Sequence, residues 1–264
     1  MSIDVRNLGV SIGRKAILSD VSLTAHPGTL TAIVGPNGSG KTTFLKAVSG
    51  DLAHSGEIRL NGMALAEMKP WQAAVHRAVL PQATSLSFPY TVREIVKLGL
   101  MSGRSGAGER ELARLPEQAL ARVDLDGFAG RFYQELSGGE QQRVQLARVL
   151  CQVWRPVLDG VARFLLLDEP VSSLDIKHQL TIMEIARDFA AAGGGGIAIL
   201  HDLNLTARYA DQVAMMHRGR LAACGSVEDV LTDDLISDVF ECRIRMSTPP
   251  PAGAPFVLPQ MAEL

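Results

Sequence analysis

The sequence predicts an α/β fold built on a mostly parallel sheet with flanking helices. Three observations predict it. Thr29-Leu-Thr-Ala-Ile-Val34 is β-branched and apolar, as a buried strand is, and passes through a glycine-rich loop into a helical stretch, Lys41 to Ser49, stopped by Gly50. Phe164-Leu-Leu-Leu167 and Gly196-Ile-Ala-Ile-Leu200 are unbroken apolar runs of one strand's length, the texture of parallel strands covered on both faces. Between these regions, from Pro89 onward, the texture turns helical.

The remaining elements follow in order. Ile3–Val5, Ala16–Leu18 and Val21–Thr24 are short β-like runs with turns at Gly13 and Pro27-Gly28. Gly56–Leu60 and Met63–Leu65 flank Asn61-Gly62, a strong hairpin signal because both turn positions need positive φ. Thr91-Val-Arg-Glu94 forms a capping box for a helix with Val92, Ile95 and Val96 on one face. Met101–Gly108 reads as a loop, and Pro116 to Leu125 as a second helix with Leu120 and Val123 inward. Ser137 and Glu140 form another capping box, continued by helical periodicity over Gln141 to Cys151. Residues 247–264 hold five of the 13 prolines and read as an extended tail.

Composition narrows the function classes. A chain of 264 residues, 47% hydrophobic, suits one large globular unit or a core with an inserted subdomain. A net charge of -2 does not point to nucleic acid or an anionic lipid surface. The sequence holds no run of 18 apolar residues, and Met1-Ser-Ile-Asp-Val-Arg6 lacks a signal peptide's apolar centre. Cys151, Cys224 and Cys242 have no metal-ligand spacing, so a reduced cytoplasmic protein with buried thiols is expected. Any membrane association then comes through a partner.

The chemistry concentrates at strand ends. Gly35-Pro36-Asn37-Gly38-Ser39-Gly40-Lys41-Thr42, with Thr43 after it, is a complete G-x-x-x-x-G-K-(S/T) phosphate loop. Its glycines let several backbone N–H groups aim at one point, and the following helix adds its positive end. Lys41 is placed for β- and γ-phosphates and the Thr42 hydroxyl for Mg²⁺. Asp168, ending the strand Phe164–Leu167, is placed to bind Mg²⁺, and Glu169 to accept a proton from an attacking water. His201 leaves the strand Gly196–Leu200 on the same edge, within reach of a γ-phosphate. The other five histidines, His26, His54, His76, His178 and His217, read as structural.

Together with Leu136-Ser137-Gly138-Gly139-Glu140, these motifs resemble the ATP-binding cassette family, in the family's order, over roughly residues 2–240. The resemblance implies a P-loop ATPase core with an N-terminal antiparallel β subdomain and a helical subdomain inserted at about 83–155, the whole spanning 1–246. It implies ATP and Mg²⁺ as ligands, with Gln82 sensing Mg²⁺ and the attacking water. Leu136–Glu140 would contact ATP held by a second copy, and Ser172-Ser173-Leu174-Asp175 would be a D-loop crossing that interface. Ile12 stands where the family often has an aromatic residue against adenine.

The segments Phe88 to Gly99 and His201 to Asp211 resemble importers of iron–siderophores, haem and cobalamin. The long stretch Cys151 to Arg163 after the signature helix is most similar to the haem branch. That implies a homodimer beneath two transmembrane permease subunits, fed indirectly by a periplasmic binding protein, at the cytoplasmic face of a bacterial inner membrane. Import of iron–siderophore or cobalamin stays open, as does a soluble cassette ATPase. A small-molecule kinase has no use for Leu-Ser-Gly-Gly-Glu, and a non-hydrolysing scaffold is expected to have lost Glu169 or His201.

Overall fold

The computed structural model describes residues 1–82, 88–102, 104–249, 255–258 and 261–262. The chain opens with β1 (Ile3–Ile12), β2 (Lys15–Ala25), β3 (Leu30–Val34) and α1 (Lys41–Val48). Next come β4 (Ser55–Leu60), β5 (Met63–Ala64), α2 (Pro70–His76) and β6 (Arg77–Leu80). A helical part holds α3 (Val92–Ser102), α4 (Glu109–Leu112), α5 (Leu115–Arg122) and α6 (Gly138–Gln152). A small hairpin of β7 (Val157–Leu158) and β8 (Val161–Ala162) leads to β9 (Phe164–Asp168), α7 (Ile176–Ala191) and β10 (Gly195–Ile199). The chain continues through α8 (Leu203–Tyr209), β11 (Gln212–His217), β12 (Arg220–Gly225), α9 (Val227–Val230) and α10 (Asp233–Phe240).

Among the described residues the main sheet has the order β12-β11-β3-β10-β9-β6, parallel except for β12. A second, antiparallel sheet has the order β2-β1-β4-β5. Parallel strands need cover on both faces, and here every residue of β3, β9 and β10 is buried. Alternation sends Leu30, Ala32, Val34, Leu165, Leu167 and Ala198 into one core, shared with α3, α5, α6 and α7. Ile33, Phe164, Leu166, Ile197 and Ile199 enter the other, where they meet α1 and the antiparallel sheet. Each fully buried aliphatic side chain contributes roughly 1.5–3 kcal/mol, so this sheet is a main source of the fold's stability.

Local signals in the sequence reappear with small shifts. Asn61 and Gly62 take φ of 52° and 85°, and Thr91 closes its capping box with Glu94. The three short N-terminal runs are instead parts of two long strands of 10 and 11 residues. Asn7 and Asp20 are the reason: both are left-handed, at φ 48° and 57°, and the Asn7 amide donates to Asp20 at 2.7 Å. The register shifts there and the alternation breaks. Of the three thiols only Cys151 is buried; Cys224 and Cys242 are exposed. The start of the expected helical insertion, 83–87, lies outside the described residues, as do 250–254, 259–260 and 263–264 of the tail. Further along, the tail returns to the body, where Ala262 O accepts from Arg208 at 3.0 Å.

Helices α3 and α6 cross so closely at Gly99 that a side-chain carbon there would collide with the Arg148 carbonyl. Gly99→Ala should therefore force the pair apart and lower the unfolding free energy by about 1–3 kcal/mol, read by urea denaturation. An unchanged midpoint would mean that the contact relaxes freely.

Candidate functional site

Four neighbouring strands, β3, β10, β9 and β6, end on one edge of the main sheet. The phosphate loop leaves β3, His201 follows β10, Asp168 and Glu169 sit at the end of β9, and Gln82 follows β6. Ligands of open α/β sheets bind outside such carboxyl ends.

The loop conformation depends on its glycines. Gly35 has φ 143° and lies against the Met216 carbonyl, where any side chain would collide. Gly40, at φ 103°, is pressed on Leu18 of β2. Lys41 is buried and its ammonium donates to the Gly35 and Pro36 carbonyls at 2.8 and 3.0 Å. Burial pushes the Lys41 amine below its usual range, against the pull of the Glu169 and Asp168 charges. Ser39 Oγ is buried with no hydrogen-bond partner. A buried hydroxyl left unpaired is costly, and an anion's oxygens in the loop would satisfy it. Pro36, Asn37 and Gly38 are partly or fully exposed beside it, and Thr43 is half-buried in α1.

Thr42 Oγ1 donates to Asp168 Oδ1 at 3.2 Å, bringing two of the three expected metal ligands together. Burial pushes the Asp168 carboxyl up, and its bond from Thr42 only partly offsets this. A hydroxyl and a carboxylate are hard oxygen donors of the kind Mg²⁺ takes. Gln82 is elsewhere: its amide donates to Glu169 Oε2 at 2.8 Å, and among the described residues no hydrogen bond joins it to Thr42 or Asp168. His201 Nε2 lies 2.7 Å from Glu169 Oε1. The Glu169 carboxylate is thus engaged on both oxygens, on a residue held left-handed at φ 51°. Such backbone strain concentrates at functional sites.

Two side-chain contacts to the Glu169 carbonyl, one of them from a residue that the sequence does not single out, complete this arrangement. Gln142 Nε2 of α6 and Ser172 Oγ both donate to the Glu169 carbonyl, each at 3.0 Å. Ser172 was expected only as part of a segment facing a second copy. Gln142 had one usable signal, its place in the Gln-Gln-Arg run after Leu136–Glu140.

Leu136 is buried and anchors the start of α6, whereas Ser137 and Gly138 are exposed. Ser137 and Glu140 cap the helix reciprocally, Ser137 N–H donating to Glu140 Oε2 at 2.8 Å. Among the described residues no hydrogen bond joins Leu136–Glu140 to the phosphate loop. A side chain at Gly139 would meet Leu174 Cδ2 at 2.9 Å, so Ser172–Asp175 packs beside this helix start. Ser173 is exposed at φ 66°, and Asp175 caps α7. A cleft between Gln82, Tyr133, Gly138, Gln142 and Ser173 separates the sheet edge from the helical part. Ile12, at the end of β1, is 58% exposed.

A family model described as ABC transporter matches residues 18–172. The Hemin import ATP-binding protein HmuV of Mesorhizobium japonicum is 70% identical over 98% of this chain and 98% of its own length. The protein of the same name from Rhizobium meliloti is 58% identical, again over 98% of each. A solved structure described as the ATP-binding subunit of an ABC transporter superposes with a TM-score of 0.77 at 26% identity, covering 92% of this chain and 95% of that one.

The buried acid gives a test of sign. With its folded-state pKa raised, ionised Asp168 destabilises the fold near neutrality, and the penalty disappears as pH falls and both states take up the proton. Asp168→Asn should thus unfold at higher urea than the parent at about pH 7.5, the gap narrowing towards about pH 5. A destabilised variant at neutral pH would show that the ionised form is favoured here.

Proposed function

Because the chain belongs to the ABC transporter family, we propose that it is the ATP-hydrolysing subunit of a haem importer, working as two copies beneath two permease subunits. The single observation that carries the hydrolytic reading is the convergence of Lys41, Thr42, Asp168, Glu169, His201 and Gln82 on one sheet edge. The haem assignment is supported by relatives named for haemin import, at up to 70% identity over nearly the whole chain.

In this reading Gly35–Thr43 hold the triphosphate, with Ser39 Oγ and Lys41 moving from protein partners or none onto phosphate oxygens. Thr42, Asp168 and the side-chain amide oxygen of Gln82 would hold Mg²⁺, which would draw charge from the phosphates. Glu169 accepts the proton of the attacking water on a carboxylate that Gln82 and His201 orient, one at each oxygen. His201 then orients at the γ-phosphate. Among the described residues the exposed Ser137 and Gly138 at the start of α6 make no hydrogen bond to the phosphate loop of their own chain; a second copy's ATP would supply that partner, and Ser172–Asp175 lies along the same face.

No helix among the described residues is long and apolar enough to cross a membrane. A permease supplies the membrane contact. Exposed Phe88, Tyr90 and Phe132 fit that role, with the Phe88 and Tyr90 rings edge to face at 6.3 Å. The assembly then sits at the cytoplasmic face of a bacterial inner membrane, receiving solute from a periplasmic binding protein. The ATPase core spans 1–246, with the helical subdomain at about 83–155 and the tail at 247–264.

Three measurements test this. Glu169→Gln should retain ATP binding and lose about 10²–10⁴-fold in phosphate release; appreciable residual turnover would exclude Glu169 as base. Ile12→Tyr should tighten ATP binding by about 1 kcal/mol through base stacking, read by calorimetry. In proteoliposomes with the co-purified permease, haem-loaded binding protein should raise the ATPase rate. Stimulation by a siderophore or cobalamin instead would overturn the haem assignment.

A further inference from the structure

The segment Ser172–Asp175 begins at Glu169, whose carbonyl accepts from Ser172, and ends at the N-cap of α7, where the Asp175 carboxylate accepts from His178 N at 3.0 Å. The His178 ring lies between two carboxylates belonging to different parts of the molecule. Its Nδ1 is 2.8 and 2.9 Å from the two Asp175 oxygens, and its Nε2 is 3.5 Å from Asp124 Oδ2. Asp124 lies just beyond α5, in a left-handed turn at φ 58°. Only 19% of the His178 side chain is exposed, so the ring is seated rather than waving in solvent.

We propose that His178, as the imidazolium, is a pH-dependent clamp tying the turn after α5 to the Ser172–Asp175 segment, and so the helical part to the edge of the sheet.

The reason is donor arithmetic. An ionised carboxylate only accepts, and a neutral imidazole has one N–H, so it can satisfy Asp175 or Asp124 but not both. The imidazolium donates to Asp175 and sets its positive charge within ion-pair distance of Asp124. The other charged groups around it do not switch. Lys177 Nζ sits 2.6 Å from Asp124 Oδ2 and holds that carboxyl below the usual range. The His178 N–H and ring hold Asp175 down in the same way. Arg143 Nη1 grips the Val123 and Asp124 carbonyls at 2.9 and 2.7 Å, fixing the turn's backbone independently of pH. Histidine is thus the one residue type in this cluster that changes charge near neutrality. The tie is present at low pH and weakens as pH rises. Lys177 remains on Asp124 throughout, so loosening rather than release is expected. Its bearing on turnover rests on the proposed function; the clamp itself does not.

The test is hydrogen–deuterium exchange on the full chain without nucleotide, corrected for the intrinsic pH dependence of exchange, following residues 120–128 and 172–178. Raising the pH from about 5.5 to about 8.5 should lower protection about two- to five-fold in the parent, the scale of one partly exposed ion pair. His178→Gln, which cannot titrate, and Asp124→Asn, which removes the far anchor together with the Lys177 pair, should show no such drop. A flat parent profile, or an equal drop in His178→Gln, would overturn the clamp. The haem-import reading can fail without affecting either result, because no ATP and no solute enters the measurement.

Discussion

The burial of β3, β9 and β10 on both faces is the constraint on which the rest of the site depends. A strand with no exposed residue cannot slip in register, because a shift by one would exchange its two cores. With β10 pinned between β3 and β9, the ends of these strands stay at set spacings. The Thr42–Asp168 bond and the His201–Glu169 bond each span two such ends. Neither residue pair is close in sequence: the phosphate loop carries Thr42 from β3 to the edge, and β10 delivers His201 directly. The geometry of the edge comes from hydrophobic packing one layer below it.

That edge is costly for the fold. Lys41 and Asp168 are both buried, and burial opposes the charge of each, lowering one pKa and raising the other. Ser39 Oγ has no partner, and Glu169 sits in a backbone region that non-glycine residues avoid. A sequence selected for stability alone would remove all four features. Their concentration on the rim where four strands end is itself an argument for ligand chemistry there, independent of any motif.

Legibility in the sequence followed signal strength. The phosphate loop, Asp168, Glu169, His201 and both capping boxes could be read because their chemistry needs particular residue types at fixed offsets. The β11–β12 hairpin was missed: its turn is Arg218-Gly219, which takes the same left-handed pair of φ values as Asn-Gly, 49° and 77°, without the usual residue at its first position. Strand β6 was missed because four residues following α2 directly carry too little alternation to register. Gln142 could not be assigned a partner, since a glutamine in a helix says nothing about which distant carbonyl it reaches. His178 read as an ordinary structural histidine, for the carboxylate on its far side is contributed by a turn more than fifty residues earlier.

Those unread contacts share a direction. Glu169 is gripped at its carbonyl by Gln142 of α6 and at its carboxylate by Gln82, which stands at the entrance to the helical part. Leu174 packs on Gly139 at the start of α6, and His178 reaches Asp124 after α5. The helical part therefore touches the few residues from Glu169 to His178 through Gln142, Gly139 and Asp124, while the sheet edge holds Glu169 through the end of β9 and through Gln82 and His201. A rigid-body rotation of α3–α6 cannot leave all these contacts unchanged, and one of them is the Gln142 hydrogen bond to the Glu169 carbonyl. Movement of the helical part and the backbone setting of Glu169 are consequently coupled through Gln142.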